Sequence, residues 1–192
     1  GTAYGNTDGY GTTNHFHCYK SSDLTAWTAC GDILNSPPTG VYYRPHVIYN
    51  ATNQKYVLWY NWYQTLWSGQ YGVAVSDTPT GPFTIVNDNV NMKFIAKGLG
   101  DLSLFVDDDA QAYLVYTTIA DHVITVEKLA DDYLSSTLTN SGTILPSAEA
   151  CSMFKRNGIY YVLSDKMCQF CPEGSGARVY MATDPLGPYA YT

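Results

Sequence analysis

Charge is scarce in this chain. Asp, Glu, Lys and Arg supply only 14% of its 192 residues, and 17 acidic side chains against 10 Lys and Arg leave a net charge of -7. A nucleic-acid binder needs a basic footprint to displace counterions from phosphates. The Lys and Arg here are few and scattered, which excludes that class and disfavours an anionic membrane surface for the same reason. Long hydrophobic runs are also missing: no stretch approaches the roughly 18 apolar residues of a membrane span. No secretory signal stands at Gly1, and the chain does not begin with Met. Its start is therefore expected to be processed or cropped. A neutral substrate remains the natural partner, and a monomer is expected.

Cysteine is limited to five residues, Cys18, Cys30, Cys151, Cys168 and Cys171. Cys168 and Cys171 have CxxC spacing, but a structural zinc site wants four Cys or His ligands, and the chain has neither a second CxxC nor a paired-His motif. A redox CxxC would want a βαβ setting, which the pattern lacks. Disulfides in an oxidising, extracellular compartment are the better expectation, with Cys18 and Cys30 as one candidate pair. The odd count leaves one thiol free or bonded elsewhere. The four histidines, His15, His17, His46 and His122, show no metal-ligand spacing and read as structural. Asp107, Asp108 and Asp109 read as a tight turn, where Asp is favoured. No metal site or cofactor is assigned, with a structural calcium left open.

Aromatic residues, by contrast, are abundant at 15%, 18 of them Tyr, and 16 Gly and 9 Pro supply turns. Tyr, Trp, Val and Thr favour strands, so composition points to an all-β domain of many short strands. One glycosylation sequon, Asn50-Ala51-Thr52, falls in a polar break between two apolar runs and is expected on an exposed hairpin turn, a weak sign of secretion.

The chain repeats itself. KYVLWY at 55–60, QAYLVY at 111–116 and IYYVLS at 159–164 read as equivalent strands. Each follows a turn (50–54, 107–110, 156–158), and a short apolar strand precedes each turn, so every unit opens with a hairpin. Third strands follow at 71–76, 123–129 and 177–182, and the first and last lead to matching Gly-Pro-aromatic endings, Gly81-Pro82-Phe83 and Gly187-Pro188-Tyr189. Residues 16–27 read as a third strand, a turn and the opening of a fourth. Repeats of this size with four strands each are the signature of propeller blades. The expectation is one partial β-propeller domain over 1–192, about three to four blades of a closed ring that lacks its start and at least one blade.

Several segments then carry a family resemblance. These are Tyr19, Ser21, Ser22, Asp23, Leu24 and Trp27; Arg44-Pro45 with 46–50; 72–77 followed by Gly81-Pro82-Phe83; 101–109 with Ala112-Tyr113-Leu114; and Glu149 to Gly158 with Tyr160-Tyr161. In this order and spacing the chain resembles family 43 glycoside hydrolases, five-bladed propeller enzymes, and is most similar to their exo-β-1,3-galactanase group. In that group a glutamate precedes the Arg-Pro pair, where this chain has Tyr43.

The resemblance implies hydrolysis of a plant or fungal cell-wall polysaccharide, a galactan or arabinogalactan side chain, with inversion. Inversion needs a general acid of raised pKa and a base that activates water on the opposite face of the sugar. It assigns the acid to Glu149 and a pKa-raising helper to Asp101, both at the opening of a blade's innermost strand. The family's base, an aspartate on the first strand of the first blade, would precede Gly1. Arg44 is a candidate to bond sugar hydroxyls or to hold Glu149. Tyr42, Tyr43, Trp62, Trp67 and Phe170 are candidates to stack on sugar rings, whereas Trp59 and Tyr113 read as core. Two other readings stay open: a non-catalytic carbohydrate-binding propeller, consistent with Tyr43 and the missing base, and a protein-interaction scaffold.

Overall fold

The computed structural model of the protein describes residues 16–64, 68–166 and 171–192. His15, Trp67, Cys168 and Phe170 lie outside the described residues. Among the described residues the strands form four sheets. β1 (His17–Lys20) pairs with β2 (Thr28–Asp32). The second sheet holds β3 (Leu34–Asn35), β4 (Val41–Asn50), β5 (Lys55–Tyr63), β6 (Gln70–Ser76) and β7 (Phe83–Asn87), in the order β3-β7-β6-β5-β4. The third runs β8 (Leu99–Val106), β9 (Ala112–Thr118), β10 (Ile124–Leu129) and β11 (Ser136–Asn140), and the fourth β12 (Ser152–Arg156), β13 (Ile159–Ser164), β14 (Arg178–Ala182) and β15 (Ala190–Tyr191), each in sequence order. Among the described residues all strand pairings are antiparallel except β3 on β7. The fold is thus all-β and propeller-type, and the described residues form three four- or five-stranded blades and a two-stranded piece of another. β8 lies beside both β4 and β12, so the first strands of the three blades are neighbours at the inside of the ring.

The central strands show why the sequence reads as repeated apolar runs. In β5, Val57 and Trp59 face the third sheet in one core, while Leu58 and Tyr60 face Phe16, Ile33 and Tyr42 in another. In β9, Leu114 and Tyr116 join the first of these cores, and Tyr113 and Val115 pack on Met153, Tyr160 and Val162 of the fourth sheet. Side chains alternate faces along a strand, so a strand with both faces covered must be apolar at every position. Trp59, with no exposed surface, and Tyr113 are core as expected.

Polar bonds stitch the blades together. Trp59 Nε1 donates to the Tyr133 carbonyl at 2.8 Å. Lys155 of β12 donates to Asp107 and Asp108, and the Tyr160 hydroxyl donates to the other oxygen of Asp107. The 107–109 turn therefore clamps the third blade to the fourth. Gly69 approaches the third blade so closely that a Cβ there would lie 2.1 Å from the Leu99 carbonyl oxygen.

Two expectations fail. The sequon asparagine is not exposed: Asn50 is 1% accessible, and its Nδ2, the atom that would carry a glycan, donates to the Asp131 carbonyl at 2.8 Å. Its Oδ1 accepts from the backbone of Thr52 and Asn53, so the side chain closes the hairpin and ties it to the next blade. Cys18 and Cys30 are free thiols, as is Cys151. A bulge in the β1–β2 ladder sets Cys18 opposite Gly31 rather than Cys30. Cys171 is disulfide-bonded.

Candidate active site

The innermost strands are irregular at the end where they begin. The β4–β5 register slips between Tyr43 and His46, and the β8–β9 register between Leu99 and Leu102. Just before β12, Ser147 and Ala150 adopt left-handed φ angles of 53° and 52°, and Arg44 in the β4 bulge has φ 50°. Bulges bend a strand and re-aim side chains out of the ladder. Here they turn Arg44 and Asp101 out of the regular ladder, while the left-handed residues bend the segment that carries Glu149.

Each irregular segment is held by its neighbours, because a bulge frees backbone groups that must find other partners. The Leu99 carbonyl accepts from Asn61 Nδ2 at 2.9 Å and the Gly100 carbonyl from the Tyr71 hydroxyl at 3.0 Å. Leu99 N donates to the Gly69 carbonyl at 3.0 Å. The second blade thereby fixes the segment that presents Asp101. Around Glu149, the backbone N–H donates to Asp165 Oδ1 at 2.9 Å, and the carbonyl accepts from Asp165 N and Ser164 Oγ, both at 3.2 Å.

A cavity of about 350 Å³ results, lined by Tyr63, Asp101, Thr117, Thr118, His122 and Glu149 among others. Asp101 accepts a two-pronged bond from Arg44, Nε to Oδ1 at 2.6 Å and Nη2 to Oδ2 at 2.9 Å. The Arg44 side chain is 52% exposed and that of Asp101 25%. Pairs this exposed stabilise a fold by only about 0–1 kcal/mol. The contribution of the fork is to fix the plane of the carboxylate. His122 Nδ1 lies 2.9 Å from Glu149 Oε1. The pKa of Glu149 is raised above the ordinary 4.5, first by burial, with His122 opposing and the charges of Asp101 and Asp165 adding to the rise. Burial is thus the larger cause and the Asp101 charge a secondary one. Tyr63 is pushed up to about 12 by burial and then by Asp101, so its phenol stays a donor. Burial likewise pushes the Cys151 thiol up to about 12, which removes it as a nucleophile near neutral pH.

Among the residues expected at the site, Asp101 and Glu149 line one cavity, and Arg44 reaches it through Asp101 rather than by holding Glu149. Trp62 is a correction: it is 3% accessible, stacks on Tyr42 with centroids 5.6 Å apart, and donates Nε1 to the Asp88 carbonyl. Following β5 outward, its side chain falls on the core face and offers no ring face to a sugar. Tyr42 is buried with it. Tyr43 packs edge-on against Tyr63 at 5.4 Å, and Tyr63 is the one that lines the cavity. Trp67 lies outside the described residues. Tyr63, Thr117, Thr118 and His122 escaped the sequence reading. The available signal was topological: in an up-and-down blade, the link between second and third strands returns to the end where the first strand opens.

Removing the Arg44 charge leaves Asp101 unneutralised. Arg44→Ala is therefore expected to raise the pKa of Glu149 further, shifting its carboxyl titration, followed by carbon-13 NMR, to higher pH. A shift downward or none would show that the Asp101 charge is not felt at Glu149.

A propeller whose inner-strand openings bring a glutamic acid of raised pKa and a second carboxylate to one cavity has the architecture of the propeller-type glycosidases. The chain belongs to Glycosyl hydrolases family 43, whose sequence profile matches residues 2–192. Similar solved structures include a β-1,3-galactosidase bound to galactodeoxynojirimycin, 27% identical, with a TM-score of 0.79 over 92% of this chain and 66% of that one. An exo-β-1,3-galactanase from Phanerochaete chrysosporium with β-1,3-galactotriose is 25% identical, with a TM-score of 0.80 over 97% of this chain and 45% of that one. An exo-β-1,3-galactanase from Clostridium thermocellum is 27% identical, with a TM-score of 0.78 over 92% and 41%. The chain therefore spans less than two thirds of the length of these relatives. No curated protein sequence matches it.

Proposed function

We propose that the protein is a secreted glycoside hydrolase that cleaves β-1,3-linked galactan or arabinogalactan side chains with inversion. The observation that carries this reading is the shared cavity of Glu149 and Asp101, with the pKa of Glu149 raised. Glu149 enters the reaction protonated and gives its proton to the glycosidic oxygen as the bond from that oxygen to the anomeric carbon breaks. A water attacks the same carbon from the opposite face and loses its proton to a base. None of the described residues is assigned as that base. Asp101, oriented by Arg44, favours the protonated form of Glu149 until the proton is needed. The galactan assignment leans on the relatives whose structures hold galactose-type ligands.

A non-catalytic carbohydrate-binding propeller is the second reading, favoured by Tyr43 standing before Arg44-Pro45. The full-length protein incubated with β-1,3-galactan, arabinan and xylan oligomers separates the two. Proton NMR of the first-formed sugar is expected to show α-galactose, the inverted anomer. Release of arabinose or xylose alone, or of β-galactose, would overturn the galactan or the inverting part of the reading. Binding without any cleavage would establish the second reading.

A further inference from the structure

We propose that His122 is a positioning residue for Glu149, gripping the glutamate segment by both its backbone and its ring and so fixing where the carboxyl group points. The inference rests on Glu149 being the acid of the proposed reaction, though the pairing itself can be tested without any activity.

The segment 147–150 is not in a strand, and its left-handed residues at 147 and 150 give it no ladder of its own. It depends on external contacts. One set comes from the fourth blade, through Ser164 and Asp165. The other comes from His122, in the link between β9 and β10 of the third blade. Its carbonyl accepts from Ala148 N at 3.0 Å, and its Nδ1 lies 2.9 Å from Glu149 Oε1. One residue therefore holds two consecutive positions of the segment that carries the acid.

The conformation of His122 fits that task. Its φ is 50°, in the left-handed region that a non-glycine residue adopts only where its surroundings demand it. The demand is visible on both sides. Val123 N donates to Thr118 Oγ1 and Thr118 N to the Val123 carbonyl, both at 3.0 Å. Asp121 is held by Thr118 Oγ1 and Lys97 Nζ. A braced link of this kind turns the imidazole into the cavity instead of leaving it on the rim.

The charged and titratable groups around Glu149 are Asp101 with Arg44 from the inner strands, Asp165 after β13, Tyr63 from β5 and His122. The two aspartates disfavour a negative charge on Glu149, whereas the close approach of His122 Nδ1 to its Oε1 favours it. His122 is thus the nearest group opposing an excessive rise, and it leaves the acid able to give up its proton late in the reaction.

The test uses full-length protein labelled with carbon-13 at glutamate carboxyl groups. His122→Phe removes the imidazole nitrogen that approaches Glu149 and is expected to move the Glu149 titration up by about one pH unit. His122→Gln keeps a hydrogen-bond donor and should shift it less. Where the protein cleaves a galactan oligomer, the alkaline limb of the kcat profile should move with the titration, and kcat should fall about 10-fold or more with little change in KM. An unmoved Glu149 titration in folded His122→Phe protein overturns the proposal, whether or not any sugar is cleaved. If that variant does not fold, the nitrogen-15 resonance of His122 Nδ1 in Glu149→Gln protein decides instead. A change from the wild-type position sustains the pairing, and an identical position overturns it.

Discussion

Glu149→Gln is expected to lower kcat on a β-1,3-galactan oligomer by about 10²- to 10⁴-fold, the range typical of a lost general acid. The loss follows from the chemistry of the leaving group. A sugar alkoxide is a poor leaving group unless protonated, and an amide has no proton of suitable acidity to give. A galactoside with a nitrophenol leaving group needs no such help, so the variant should lose far less activity on it. Equal losses on both substrates would remove Glu149 from the proton-transfer step. The pH dependence has a definite sign. The acid works only when protonated, so wild-type activity falls as pH rises through its raised pKa. Stability follows the same direction: a carboxyl whose folded pKa lies above 4.5 contributes stability below that value and loses it as pH climbs through the folded pKa. Gln mimics the neutral form that burial favours, so Glu149→Gln protein should be no less stable than wild type above that window, as thermal unfolding at several pH values will show.

Glu127→Ala is expected to be the most damaging single change to the fold, by about 3 kcal/mol or more. Glu127 has no exposed surface. One oxygen accepts from Lys93 N and Ser136 Oγ, the other from Lys93 N, the Tyr116 hydroxyl at 2.7 Å and Asn140 Nδ2 at 3.2 Å. Every partner is a donor, and together they join β9, β10, β11 and the segment before β8. Truncation strands these donors in a dry interior and opens a cavity beside Tyr116. Glu127→Gln keeps the volume but faces the same donors with an amide N–H, so it should recover only part of the loss. At about 2–4 °C per kcal/mol for a chain of this size, the Ala variant should melt about 6–12 °C lower. A change within 2 °C would mean that water satisfies these groups.

Much of the fold was legible in the sequence because the signal is local. Three apolar hairpins with polar turns at matching intervals are a backbone pattern, and β4–β5, β8–β9 and β12–β13 fall where that pattern put them. Trp59 and Tyr113 could be assigned to the core because a strand covered on both faces needs apolar residues at every step. Trp62 could not be separated from them on the same grounds. It continues the strand that buries Trp59, and only the stacking on Tyr42 and the bond to Asp88 reveal on which side of the rim it ends. The sequon failed for a related reason. A polar residue in a turn is usually exposed, but the turn at Asn50 packs on the neighbouring blade, where Asp131 accepts its amide.

The sequence by itself determined the all-β repeat and the family, and through the resemblance it pointed to Asp101 and Glu149 as candidates. Only the tertiary structure decided what surrounds those acids: the fork from Arg44, the burial that raises Glu149, and His122 brought to it from another blade. Strand periodicity is written along the chain within a few residues. The environment of a carboxyl group is set by side chains tens of residues away, which meet it only once the blades have packed.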